Sequence, residues 1–459
     1  MLPRDPRPSG AGGSQAGTFH HGGSRSGSHS LRVWQGAADG ARGGSTVKHL
    51  LVLGAGTAGT MAVNKLRPRL PSSEWSITIV DRDDEHHYQP GYLFVPFGTY
   101  RREDIVKPRS RFVPEGVALV FDEIDAIEPA NARVTLRSGT TLEYDQLIIA
   151  TGTSPRPDET PGMLGPEWRR SIHEFYTLDG SLALADALAE FDGGRLVAHV
   201  SEMPIKCPVA PLELLFLADA HFRERGIRER VELVYVTPLD GAFTTPAAAS
   251  ALAGMLERRG IAVESDFVVE RIDAAAKTLV SYDERTVPFD LLVTVPVNMG
   301  ADAVGRSGLG DDLNHVRVDP HTMQARAYPN VFALGDANDL PISKAGSATH
   351  YATDVFVANF LDHVRGRPMT RSFDGHVNCF VESGDGKALL LDFDYATQPL
   401  PGRYPLPSIG PFSLLEETAM NHAGKLLFKW VYWHLLLRGR ELPFPTTARR
   451  PAARQEVVR

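Results

Sequence analysis

The chain is predicted to be an α/β protein: two Rossmann-like units, each a three-layer β/β/α arrangement, and a carboxy-terminal domain carrying an amphipathic helix. Three observations predict this. An apolar strand over residues 47–53 runs directly into Gly54-Ala55-Gly56-Thr57-Ala58-Gly59 and then an apolar helix to residue 66. A second strand, turn and helix begin near Arg195, ahead of another strand over residues 231–236. Two further apolar strands end in Ala150-Thr151-Gly152 and in Gly335-Asp336. Near-continuous apolar strands alternating with helices are the pattern of parallel sheets buried on both faces.

In the first unit each piece has a physical task. Gly54 allows a tight turn, Gly56 lets backbone amides approach a pyrophosphate, and Gly59 permits close packing of helix on strand. The helix amino terminus adds a positive end for phosphate. A second strand over residues 75–80 ends at Asp81 and Arg82. Asp81 is placed to accept hydrogen bonds from ribose hydroxyls, and its charge disfavours a 2′-phosphate.

Size and composition narrow the function classes. With 459 residues the chain has room for two or three domains. A net charge of −8 argues against a nucleic-acid partner, which selects for a basic footprint. Two cysteines are too few for a secreted disulfide framework, and no Cys-x-x-Cys pair suggests structural zinc, so no metal is expected. Residues 1–46 are rich in Gly, Ser, His and Arg and read as a disordered tail, with His20 and His21 as solvated side chains rather than ligands. No apolar core of a signal peptide and no apolar run of about 18 residues is found, so neither export nor a membrane-spanning helix is expected.

The second unit departs from the first at its turn. Where glycines belong, the sequence reads Ser201-Glu202-Met203-Pro204-Ile205-Lys206-Cys207-Pro208-Val209-Ala210-Pro211. Prolines, a lysine and a cysteine do not give pyrophosphate close backbone access, so nicotinamide dinucleotide binding is not expected there. A cysteine just ahead of a helix, next to Lys206, is instead expected to be a reactive thiolate. Cys379 lies on the first arm of a predicted hairpin over residues 375–393.

The motifs at 54–59, 150–152 and 335–336 resemble, in order, the fingerprints of flavoproteins with two dinucleotide-binding domains. That resemblance implies FAD, held by Gly54, Ala55, Gly56, Thr57, Ala58, Gly59, Asp81, Arg82, Ala150, Thr151, Gly152, Gly335, Asp336 and Lys344. With the Cys-Pro-x-Ala-Pro turn, the cysteine-bearing hairpin and Ser343-Lys344-Ala345-Gly346-Ser347, residues 47–445 resemble the sulfide:quinone oxidoreductase family. The resemblance implies that Cys207 and Cys379 form a redox disulfide facing the flavin and that Glu213 accepts a proton. It also implies that hydrosulfide opens the disulfide to a persulfide and a thiolate, with electrons passing through FAD to a membrane quinone. Lys425 is the nearest match to a lysine that the family places near the quinone. A third cysteine found in some members has no counterpart here.

The expected domains are an FAD-binding domain over 47–155 and 296–368, a second Rossmann-like domain over 156–295, a carboxy-terminal domain over 369–445, and tails at 1–46 and 446–459. Residues 426–437 mix leucines with Phe428, Trp430, Tyr432 and Trp433, and Lys425, Lys429, Arg438 and Arg440 frame them. As a helix this stretch is about 18 Å long, too short to cross a bilayer, and it reads as lying in the membrane interface with its aromatic rings at headgroup level. A peripheral protein on the cytoplasmic membrane, at its cytoplasmic face, is therefore expected. Homo-oligomerisation is left open. The competing readings are an NADH:quinone oxidoreductase of the same fold, a flavin subunit of a sulfide dehydrogenase passing electrons to a haem partner, and a sulfur-transfer protein.

Overall fold

The computed structural model describes residues 47–406 and 409–440. The expected tails, and with them His20 and His21, lie outside the described residues.

Two five-stranded parallel sheets form the frame. In the first, the strand order is Val331–Ala333, Gln146–Ile149, Lys48–Leu53, Trp75–Asp81 and Ala118–Phe121. All four pairings are parallel. Leu50 to Leu53 and Leu147 to Ile149 are fully buried, because helices and loops cover both faces of a parallel sheet. The strand ending in Gly335-Asp336 thus joins a sheet whose other members precede residue 150. The chain leaves this sheet and returns to it through an antiparallel pair, Thr153–Arg156 against Val297–Gly300.

The second sheet has the order Ile172–His173, Leu291–Val295, Gly194–Val200, Val231–Val236 and Ala262–Glu264, again all parallel. Each sheet carries a small antiparallel meander, Ile124–Glu128 to Thr141–Glu143 in one and Val269–Asp273 to Thr286–Pro288 in the other. The three-layer expectation is met twice.

The carboxy-terminal sheet is built on the hairpin Val377–Gly384 and Lys387–Phe393, joined by Phe412–Leu414 and Gly402–Tyr404. Helix Ala419–Val431 packs on it, capped by the Thr418 hydroxyl accepting the Asn421 N–H, and ends in a wider turn, Tyr432–Leu436. Among the described residues no helix is long and apolar enough to cross a membrane.

This last segment corrects one expectation. Tyr432 and Trp433 are each 3% exposed and do not sit at a membrane surface. They pack against His86, Tyr88 and Phe112 of the first unit, with the Tyr432 hydroxyl bonded to His86 at 2.7 Å and to Thr57 at 2.8 Å. Burying two large rings, with the Tyr432 hydroxyl hydrogen-bonded, outweighs leaving them half-wet. The exposed apolar face lies elsewhere on the helix, at Met420, Leu427 and Trp430, each more than half exposed.

Candidate active site

The glycine turn at 54–59 has the geometry its sequence implies. Gly54 adopts φ +95°, and a Cβ there would collide with the Ala150 carbonyl. A Cβ on Gly59 would run into the Gly54 carbonyl, whereas at Gly56 it would meet nothing within 4 Å, which leaves an open face for close approach. Helix Thr57–Leu66 has no side-chain cap and no acidic residue in its first turn, so its free N–H groups are available to an anion. Helix Gly346–His363, after the Gly-Asp motif, starts in the same uncapped way. The Thr151 and Thr153 hydroxyls beside them are buried without a protein partner. Two uncapped amino termini, a glycine cradle and orphaned hydroxyls fit a bound dinucleotide such as FAD.

Several expected cofactor contacts take up other work. Asp81 accepts the Ala55 N–H at 2.7 Å and pairs with Arg109 at 2.8 Å. Arg109, which sequence reading missed, also donates to the Ala55 carbonyl at 2.7 Å and so braces the turn from behind. Asp81 Oδ1 is bonded to the Arg82 N–H, and the Arg82 side chain reaches out to Asp83 at the surface. Lys344 donates to the carbonyls of Asp336 and Asn338 at 3.1 and 2.7 Å, which fixes the shape of the Gly-Asp turn.

The turn of the second unit is tied to this motif through Lys344. The Cys207 N–H donates to the Lys344 carbonyl at 2.9 Å. Cys207 adopts φ +44°, a left-handed conformation that costs a non-glycine residue of order 1–3 kcal/mol. Its carbonyl accepts from the Ala210 N–H at 2.9 Å and the Tyr176 hydroxyl at 3.2 Å, so three hydrogen bonds hold the strained residue in place. Helix Ala210–Glu224 follows, with Pro211 in its first turn.

Cys207 and Cys379 come together although distant in sequence. Both are free thiols, half-buried, and close enough that each lies in the other's surroundings. The expected thiolate at Cys207 is corrected. The neighbouring Cys379 pushes the Cys207 thiol well up, burial pushes it further, and the nearby Glu213 carboxylate adds to the effect, with Lys425 opposing it. Lys206 does not activate it, because its ammonium points away to the Thr153 carbonyl at 3.2 Å and Gln89 at 3.3 Å. Tertiary neighbours outweigh the helix end here.

Glu213 is buried, at 1% exposure, rather than solvated. Its Oε1 accepts the Glu382 N–H at 2.5 Å and the Lys425 ammonium. Lys425 also donates to the Phe380 carbonyl at 3.0 Å. Burial alone would lower the Lys425 ammonium, but Glu213 and Glu382 outweigh it and hold it raised. Lys425 therefore stands at the cysteine pair, bonded to the helix that follows Cys207 and to the strand that carries Cys379. Glu382, three residues past Cys379, is buried and faces His422 at 2.8 Å. Neither was singled out from sequence, although the spacing of Glu382 from Cys379 was a usable signal.

Comparison with known proteins follows the same lines. Residues 48–192 match the pyridine nucleotide-disulphide oxidoreductase family model. The chain is 26% identical over 400 residues to the mitochondrial sulfide:quinone oxidoreductase of Dictyostelium discoideum, covering 86% of this chain and 87% of that protein. It is also 26% identical to that of Mus musculus, covering 85% and 86%. The crystal structure of the sulfide:quinone oxidoreductase from Aquifex aeolicus superposes with a TM-score of 0.73 at 20% identity, over 86% of this chain and 92% of that one, a likeness of fold. The two curated relatives are mitochondrial proteins and do not carry over the expected cytoplasmic face. By fold, and by sequence along most of its length, the chain resembles the sulfide:quinone oxidoreductases, and its residues 48–192 match the pyridine nucleotide-disulphide oxidoreductase model.

Proposed function

We propose that this protein oxidises sulfide and passes the electrons to a quinone, with Cys207 and Cys379 as its sulfur-handling pair. The observation that carries the reading is the meeting of these two thiols beside Glu213, with the Cys207 turn linked to the Gly-Asp motif through Lys344. Hydrosulfide attacks the oxidised pair: one S–S bond breaks, another forms, and the products are a persulfide on one cysteine and a thiolate on the other. A second hydrosulfide takes the sulfane sulfur and leaves both cysteines reduced. When bound, FAD accepts the two electrons released as the disulfide re-forms and delivers them to the quinone. The surroundings of Cys207 favour its protonated form, so re-oxidation requires a base beside Cys207, and Glu213 supplies one.

The second unit supports sulfide over NADH. Its turn from Ser201 to Val209 contains no glycine, and the Lys206 N–H and ammonium are spent inside the protein on Asn298, Thr153 and Gln89. The apolar side of the last helix, at Met420, Leu427 and Trp430, supports peripheral docking on a membrane, where a lipid-soluble quinone is found.

Anaerobic titration of the FAD-loaded protein tests the reading. Sulfide is expected to bleach the flavin, a quinone analogue to restore it, and NADH to leave it unchanged. Cys207→Ser and Cys379→Ser should each abolish bleaching by sulfide. A double variant that sulfide still bleaches would exclude the cysteine mechanism, and bleaching by NADH instead of sulfide would exclude the substrate.

A further inference from the structure

Three elements converge beside the cysteine pair and carry a ladder of titratable groups that leads away from it. Helix Ala210–Glu224 supplies Glu213, strand Val377–Gly384 supplies Glu382, and helix Ala419–Val431 supplies His422 and Lys425, three residues apart on one face. Side-chain exposure rises along the series: 1% at Glu213, 2% at Glu382, 11% at Lys425 and 27% at His422. Glu382 is the hinge of the arrangement. Its N–H holds Glu213 Oε1, and its carboxylate faces the His422 Nδ1 at 2.8 and 3.0 Å.

Such a cluster is a poor device for stability. Burying charges costs several kcal/mol per ion, and an apolar replacement of similar volume is often as stable. Its charge count is also unbalanced. Two buried carboxylates face one ammonium, so the cluster is one proton short of neutrality unless Glu382 or His422 takes that proton up. Burial, followed by the neighbouring Glu213, raises the Glu382 carboxyl, against Lys425 and His422. Nearby charges are otherwise matched: Arg259 pairs with Glu417 at 2.7 Å while donating to the Ser383 carbonyl, and Lys429 sits over the Tyr100 ring at 3.8 Å. A group that gains and loses one proton at low cost is what a relay needs.

We infer that Glu382 and His422 form the outer half of a proton path that joins Cys207 and Glu213, by way of Lys425, to solvent. The inference rests on the sulfide reading. When the disulfide re-forms, Cys207–SH and the Cys379 thiolate become one S–S bond, two electrons pass to the bound flavin, and one proton leaves the Cys207 sulfur. Glu213 takes that proton, Lys425, bonded to Glu213 and attracted by the Glu382 carboxylate, passes it on, and the His422 ring beside Glu382 releases it to solvent. Glu382 and His422 touch no reacting atom; they are positioning and relay residues.

The test is the rate of flavin bleaching by sulfide in the FAD-loaded protein, followed anaerobically across the neutral pH range. His422→Ala is expected to slow bleaching by about tenfold or more, to flatten its pH profile, and to recover with added imidazole. Glu382→Gln is expected to slow it similarly without recovery. His422→Asn keeps a donor toward Glu382 but carries no proton, and it is expected to be as slow as His422→Ala. Wild-type rate and pH profile in His422→Ala, or full activity in His422→Asn, would overturn the relay. A wild type that sulfide fails to bleach removes the sulfide reading itself, whereas a bleached wild type matched by His422→Ala removes the relay alone.

Discussion

Replacing Lys425 by Met strips Glu213 of its cation. The Glu213 carboxylate, 1% exposed, would then keep the N–H from Glu382. Breaking a buried pair by removing one partner costs about 3–5 kcal/mol, because the remaining charge is uncompensated. Glu213→Gln should cost less, since Lys425 retains the Phe380 carbonyl at 3.0 Å and the charge of Glu382. The double variant should recover about 1–3 kcal/mol relative to the sum of the two single losses. Urea unfolding of the FAD-loaded protein, read by circular dichroism and flavin release, measures all three. A second readout fixes the electrostatic sign. Glu213 raises the Cys207 thiol and Lys425 lowers it, so Glu213→Gln should shift alkylation of Cys207 to lower pH and Lys425→Met to higher pH. Losses additive to within about 0.5 kcal/mol, or pH shifts of the same sign in both variants, would refute the coupling.

Two further outcomes test the cofactor cradle and the surface. Gly59→Ala is expected to prevent stable flavin loading, because its Cβ has nowhere to go but the Gly54 carbonyl. Gly56→Ala, with open space at that position, should fold and lose about tenfold or more in flavin affinity; flavin absorbance after purification distinguishes them. Leu427→Asp with Trp430→Asp, at 56% and 51% exposure, should change stability little while reducing co-sedimentation with lipid vesicles. Trp433→Ala is the contrasting case: it empties a buried site and should cost about 3–5 kcal/mol.

The parts legible in the sequence are those fixed by neighbours along the chain. The glycine turn, its strand and its helix are read correctly because the turn needs a positive φ at Gly54 and a missing side chain at Gly59, which glycine alone provides without strain. The hairpin around Cys379 was legible for the same reason, through its Gly384-Asp385-Gly386 turn, all at positive φ. What depends on distant partners was not. Arg109 looks like any surface arginine until it lies between Asp81 and the Ala55 carbonyl. Tyr432 and Trp433 have the composition of an interfacial segment, and helical periodicity says that one side is covered without saying by what. The ring of His86 and the stacked Phe112 decide it. At Cys207 the local signals, a helix end and a lysine, point to a thiolate, while the partners that set its proton, Cys379 and Glu213, are not adjacent in sequence.

Comparing the two Rossmann-like turns explains why a cysteine occupies the second. Both connect a largely buried parallel strand to a helix, and both contain a left-handed residue: Gly54 at φ +95° in the first, Cys207 at φ +44° in the second. In the first turn that residue lets the backbone pass close to Ala150, and the open face lies at Gly56. In the second the strained conformation is borne by a residue with a side chain, and it is stabilised by a hydrogen bond to Lys344, next to the Gly335-Asp336 motif of the other unit. The bond that makes the strain tolerable is thus also the bond that holds the sulfur at the cofactor-binding motif. A glycine at 207 would relax the turn and remove the thiol together. The left-handed geometry and the chemistry of this position therefore meet in one residue, held by the same hydrogen bond.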